Sequence, residues 1–295
     1  MAKLITLGLL IDKTVEHYRL HVKELVGITL WLLVAAMPFL FSGYIAPFGI
    51  DEHSSTIDVI TYISLSSVGL LTTTAASIWI GICLILTIDA RAKGTTPNHV
   101  ALGKRSWKFF LSFLVLSAAI AIGLSAISAL FVVPGILVMM FNTASGAAGA
   151  AIGIAGVVLL FAGCAAALYT LIRYSVELAF AQYHLVLESE STKFSFKNLL
   201  ASARASRAYV KGSWWAIMFR LFIPNAIISL VVLGFTMTTN FATTILISFA
   251  AASLSPLAIT LISLGLTLSV FIVNAFVMPL YSLATYYLYD SVAKR

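Results

Sequence analysis

Lys197, Arg204, Arg207 and Lys211 stand at positions i, i+7, i+10 and i+14, close to one line along a helix. Two tryptophans, Trp214 and Trp215, follow at once. Cations in a row hold negative charge, and the residue types alone leave four acidic partners open: nucleic acid, an isolated phosphate, an acidic protein surface and an anionic membrane. Two more charges, Arg220 and Glu177, are embedded in apolar sequence, where an unpaired charge is costly. Arg220 is expected to snorkel toward the headgroups, or to pair with an acidic residue, Glu177 being the first choice. Arg173 and Glu177 lie one helical turn apart and are spaced to pair locally.

The elements that carry these residues decide among the partners. The chain has 295 residues, of which 61% are hydrophobic and 10% charged. Its mean hydropathy is +1.03, whereas soluble domains carry about 25% charged residues. Six apolar runs, roughly 25–44, 63–88, 109–133, 150–172, 215–235 and 257–283, are each long enough to cross a bilayer. They must be helices, because a span in lipid has to satisfy its own backbone hydrogen bonds, and a barrel would show short segments of alternating polarity. The expected fold is all-α: a polytopic six-helix bundle forming one integral membrane domain over 1–295. Cys83 and Cys164 lie inside apolar runs, which argues against a disulfide framework or a thiolate metal site. The mixed segment that follows Lys3 does not read as a cleavable signal peptide, and no lipidation signature is visible.

Charge sets the orientation. All but one of the 18 Lys and Arg residues fall in the N-terminal segment, the second and fourth connections with their flanks, and the tail. The exception is Arg220, in the fifth span. By the positive-inside rule both termini are cytoplasmic, as an even number of spans also requires. The expected location is a cytoplasmic membrane, crossed several times. Two outer connections, 134–150 and 240–256, are uncharged yet apolar. The second is expected to form an interfacial or re-entrant helix, or to extend the sixth span with a kink at Pro256.

In that setting the acidic partner narrows. Phe196, Leu199, Leu200, Ala203 and Val210 form an apolar stripe, with the four cations expected on the opposite face. Ile11, Val15, Tyr18, Val22 and Leu25 form a similar stripe near the N-terminus. Such helices lie in the interface with their basic residues toward anionic lipid. Gly212 frees the backbone to turn into the membrane, and Trp107, Trp214 and Trp215 mark the headgroup level as interface anchors. A nucleic-acid patch would need a solvated domain to present it, and none is evident. Docking of a cytoplasmic protein, such as a transporter ATPase, on 194–211 stays open.

A threefold pattern runs through the chain. The entries HVALGKRSWKFFLSFL and SRAYVKGSWWAIMFRL share Lys104, Ser106 and Trp107 against Lys211, Ser213 and Trp214, and YRLHVKELVGITLWLL resembles both. An acidic residue lies near each hairpin exit: Asp89, Glu177 and Asp290. The expected repeat units are 1–92, 93–192 and 193–295, each an amphipathic segment followed by two spans.

Other candidate chemistry is thin. Asp51, Glu52, His53 and Asp58 form an outer cluster, read as solvated loop residues because they lack helical metal-ligand spacing. Thr72, Thr73 and Thr74, with Ser64, Ser66 and Ser67, are expected to bond neighbouring helices or to line a hydrophilic path. Asn225 beside Pro224, and Asn274 before Pro279, are candidates for broken helices. The glycines of SGAAGAAIGIAG suit close helix packing. No catalytic set, metal motif or phosphate-binding glycine loop stands out, so no enzyme activity and no cofactor are expected.

The run RYSVELAFAQYHLVLESE…NLLASARASRAYVKGSWWAI resembles prokaryotic six-span proteins grouped with the membrane domain of glycerophosphoryl diester phosphodiesterases and with the YciC-like family. Ala205, Ser206, Val210, Lys211, Gly212 and Trp214 fit the pattern A–S–x–x–x–V–K–G–x–W, and the likeness covers the C-terminal half best. In those phosphodiesterases a separate soluble barrel carries the catalysis, so the resemblance implies a membrane-embedded accessory or lipid-related role and no site residues. The expectation is a non-enzymatic membrane-organising, lipid-associated or assembly factor whose partners are anionic cytoplasmic-leaflet lipids and a membrane or cytoplasmic protein. The competing expectation is a transporter-type permease, alone or with an ATPase.

Overall fold

The computed structural model describes residues 4–45, 55–142, 146–189, 194–250 and 255–294. Among them the chain is helical throughout, with no strand. The helices are α1 (Leu7–Thr29), α2 (Trp31–Ile45), α3 (Thr56–Ala92), α4 (His99–Met140), α5 (Gly146–Leu178), α6 (Ala181–Leu187), α7 (Phe196–Val210), α8 (Trp214–Ala250) and α9 (Pro256–Ala293).

Side chains at the helix starts explain where several begin. Thr6 accepts from the Leu9 amide at α1. Ser55 accepts from the Asp58 amide at 3.2 Å, and its hydroxyl donates to the Asp58 carboxylate at 2.7 Å. Asp58 therefore belongs to the first turn of α3, where a negative charge suits the helix dipole, and not to a loop. The expected outer companions Asp51, Glu52 and His53 lie outside the described residues. At α9, Ser255 caps the Ala258 amide and Pro256 occupies the first turn, where its missing N–H costs nothing.

Among the described residues, six candidate spans are long and apolar enough to cross a membrane: Leu7–Ser42, Thr56–Ala92, Val100–Met140, Gly146–Leu187, Trp214–Ala242 and Leu264–Ala293. Large apolar side chains such as Leu71, Ile122, Phe161 and Leu230 are exposed along them, as lipid-facing residues must be. The chain is a multi-pass membrane protein.

Several local expectations change. Residues 240–250 continue α8 without a break, so they are neither a re-entrant helix nor an extension of the sixth span. No proline falls between Pro224 and Pro256, and Thr244 and Ser248 return their hydroxyls to the carbonyls one turn back. Residues 134–140 likewise finish α4 instead of forming a connection. Pro224 and Pro279 sit inside continuous helices, so Asn225 and Asn274 do not mark breaks. The second basic entry has no separate amphipathic helix: α4 runs from His99 straight through Trp107.

The chain forms two compact units, one of Met1–Phe110 with Phe219–Arg295 and one of Leu111–Met218. In the first, α1 packs on α9, and α2 on α3 and α9. Every residue from Ile82 to Ile88 is buried, so this end of α3 is covered all round. Ion pairs and hydrogen bonds close the same end: Arg91 to Glu24 at 2.8 Å, and Tyr286 Oη donating to Asp89 at 3.0 Å. The buried face of α1 includes Leu10, Thr14, His17 and Leu25; of the expected stripe Ile11, Val15, Tyr18, Val22 and Leu25, only Leu25 is buried, and Val15 is exposed. The shift has a polar cause, since α9 presents Tyr287, whose hydroxyl meets His17 Nδ1 at 2.7 Å.

In the second unit, α4 and α5 approach backbone to backbone. A Cβ on Gly135 would lie 2.6 Å from the Leu160 nitrogen, and one on Gly163 would collide with the Phe131 carbonyl oxygen. On Gly156 it would lie 2.7 Å from Met139 Cγ. Without side chains these glycines let the helices close; Gly156 belongs to the run SGAAGAAIGIAG expected to pack closely, whereas Gly135 and Gly163 lie outside it.

Candidate functional site

The second unit gathers most of the singled-out residues around one helix break. α5 ends at Leu178 and α6 begins at Ala181, which leaves carbonyls and amides without helical partners. Ser206 of α7, fully buried, supplies both: its hydroxyl donates to the Glu177 carbonyl at 2.7 Å and accepts from the Phe180 amide at 3.1 Å. Ser202, one turn earlier, meets His184 Nδ1 at 3.3 Å. α7 is therefore fastened to the α5–α6 junction by a face made of Leu199, Ser202, Ser206 and Val210.

That face corrects the expected stripe. Leu199 and Val210 are buried, but Phe196 is 73% exposed and Leu200 52%. At 100° per residue, Phe196 and Leu200 fall among Lys197, Arg204, Arg207 and Lys211. All four cations are exposed. The outer surface of α7 is thus basic and apolar together, because the inner surface is committed to serine hydrogen bonds and two aliphatic residues.

Where α7 ends, Lys211 leaves the helix with φ −57° and ψ 127°, and Gly212 takes φ +83°. The left-handed region favours glycine, and here it makes the turn into α8, as expected from the sequence. Trp214 opens α8, and its ring lies 4.8 Å from that of Trp215 at 89°. Trp215 is 64% exposed and Trp107, on α4 of the other unit, 62%.

Between α5, α7 and the start of α8 lies a cleft of about 510 Å³ lined by Tyr169, Arg173, Glu177, Arg207, Ala208, Val210, Lys211, Trp214 and Trp215. Glu177, its side chain 19% exposed, is met by Arg173 at 3.2 Å and Arg207 at 3.5 Å. The Arg207 guanidinium also rests over the Tyr174 ring, 5.7 Å from its centroid. Two cations share one carboxylate, and Lys211 adds a third. The indole nitrogen of Trp214 is buried, with no acceptor among the described residues.

Arg220 lies in the other unit, where its Nε donates to the Ile5 carbonyl at 2.6 Å, while Arg173 and Arg207 take up Glu177. The other two exit acids follow the same rule. Asp89 pairs with Lys93 and Asp290 with Lys294, each at 2.7 Å and one turn apart. A second cavity, of about 480 Å³ in the first unit, is lined by Lys23, Glu24, Trp31, Trp79, Cys83 and Thr87 among others.

Sequence reasoning picked out the cations and tryptophans but missed Tyr169 and Ser206's fastening role, and it took Arg173 only as a local partner for Glu177. Nothing local signals that a helical serine will cap a break 26 residues away. Tyr169, by contrast, lies one turn before Arg173 on α5, so helical spacing could have found it. No family model, curated protein or solved structure matches the chain.

Proposed function

We propose that this is a non-enzymatic membrane-organising or assembly factor of a prokaryotic cytoplasmic membrane, with its termini and α7 on the cytoplasmic side and anionic lipid as the partner of the basic surface. One observation carries the reading. Phe196 and Leu200 are exposed on the same face as Lys197, Arg204, Arg207 and Lys211. In bulk water that mixture wastes apolar surface, and at a headgroup boundary both kinds of side chain find their solvent. Each cation near a negative leaflet adds about 1 kcal/mol, and the tryptophan pair at the start of α8 suits the same depth. The asymmetry of Lys and Arg between connections supports the orientation.

The permease reading gains less. It needs polar side chains facing one cavity, yet Thr72 and Thr73 donate to the Ala35 carbonyl and Asn274 to that of Val270. The threonine bonds fasten α3 to α2 and the asparagine bond closes on its own helix, so these groups are committed to backbone carbonyls instead of a path.

Extraction from native membranes in polymer-bounded lipid patches, followed by mass spectrometry of lipids and proteins, tests the proposal. Anionic lipid enriched over the bulk membrane is the expected result. Bulk composition around the protein, or a stoichiometric co-purifying ATPase, would overturn it.

A further inference from the structure

The cleft of the second unit carries more positive charge than its carboxylate neutralises. Arg173 and Arg207 converge on Glu177 from different helices, at 3.2 and 3.5 Å, and Lys211 lines the same space. One negative charge among three positive leaves a formal excess of two. The walls are aromatic, with Tyr169, Trp214 and Trp215, and the space of about 510 Å³ suits a single headgroup with its glycerol ester region. The positive end of the α8 dipole begins at Trp214 and adds to the attraction.

We infer that this cleft holds one phospholipid whose headgroup carries a net negative phosphodiester, with the phosphate between Arg173, Arg207 and Lys211 and the ester region against Trp214 and Trp215. The assignment rests on the lipid-associated reading above and adds to it a stoichiometry and a headgroup class. Three features of the chemistry select that class. A guanidinium fork matches two phosphate oxygens at once, and Glu177 already orients both arginines, so little side-chain freedom is lost on binding. A zwitterionic lipid would bring its ammonium or choline cation among three cations, with the only lining carboxylate already engaged. A free phosphate offers nothing to the indole walls, whereas a lipid fills them. Glu177 is a positioning residue here and makes no contact with the phosphate.

Only the C-terminal part of the basic row on α7 reaches the cleft, through Arg207 and Lys211. Lys197 and Arg204 do not line the cleft, so they attract anionic lipid collectively and in fast exchange.

The test is native mass spectrometry of the full-length chain, delipidated in mild detergent and then titrated separately with phosphatidylglycerol, phosphatidylcholine and inorganic phosphate. One phosphatidylglycerol retained per chain, not displaced by millimolar phosphate and not matched by phosphatidylcholine, is the expected result. Equal retention of phosphatidylcholine overturns the inference, and so does displacement by phosphate, which would make the cleft a free-phosphate site. Arg173→Gln with Lys211→Gln should weaken retention about 25-fold, about fivefold for each cation removed. Lys197→Gln with Arg204→Gln removes the same charge outside the cleft and should keep the retained lipid. Retention unchanged in the first pair contradicts the inference. If that pair fails to fold, Lys211→Gln alone is read, with about fivefold expected. Should anionic enrichment in native patches survive while no lipid is retained, the cleft assignment fails and the broader reading stands; loss of both sinks both.

Discussion

Ser206 bears more of this structure than its residue type suggests. It is fully buried, and its one hydroxyl satisfies an amide and a carbonyl left over where α5 gives way to α6. Replacing it with Ala leaves two buried backbone groups unbonded, which costs about 1–3 kcal/mol. Ser206→Ala should therefore lower the unfolding midpoint in detergent and speed hydrogen exchange at the Phe180 amide. Unchanged exchange there would show that the break is held by something else. The charged and aromatic members of the site were legible in the sequence because cations and tryptophans are rare in so apolar a chain, and their spacing survives into the fold. Arg220 was legible as a problem but not as a solution. Its partner is a backbone carbonyl near the N-terminus, 215 residues away, and any residue type can supply one.

Helices show the same division between what composition dictates and what tertiary contact decides. All six apolar runs became spans, because length and hydropathy leave a bilayer-crossing segment little choice. Their ends did not follow the hydropathy. α3, α5 and α9 continue past the apolar runs to end beside Lys93, at Leu178 and at Ala293, and the exit acids pair with bases one turn away. The two amphipathic stripes were misplaced for a related reason. Each helix turns toward its neighbour the residues that bond to it, His17 to Tyr287 and Ser202 to His184, and periodicity scores such residues as solvent-facing. Gly163→Ala forces a Cβ into the Phe131 carbonyl, so the helices must separate, at about 1–3 kcal/mol. Gly123→Ala on α4 meets nothing within 4 Å and should be neutral or stabilising. A lowered midpoint for Gly163→Ala and an unchanged or raised one for Gly123→Ala are expected, and equal shifts would mean the close approach is not made.

At the scale of the molecule, charge is sorted more sharply than the fold requires. The basic residues lie almost entirely in alternate connections, and the outer face of α7 mixes four of them with exposed Phe196 and Leu200. The boundaries of the two compact units fall inside α4 and α8, and the threefold repeat of sequence motifs is a separate matter from this packing. Matching entry motifs therefore do not by themselves identify packing units. Both the lipid-associated reading and the cleft assignment place the basic ends against the anionic cytoplasmic leaflet, so sidedness is the claim on which the others stand. It is measured directly in intact cells with a membrane-impermeant thiol reagent, after Cys83→Ala and Cys164→Ala, using Lys197→Cys and Thr56→Cys as single reporters. The account predicts labelling at position 56 and protection at 197 until the membrane is opened. Labelling at 197 in intact cells, with 56 protected, would contradict it.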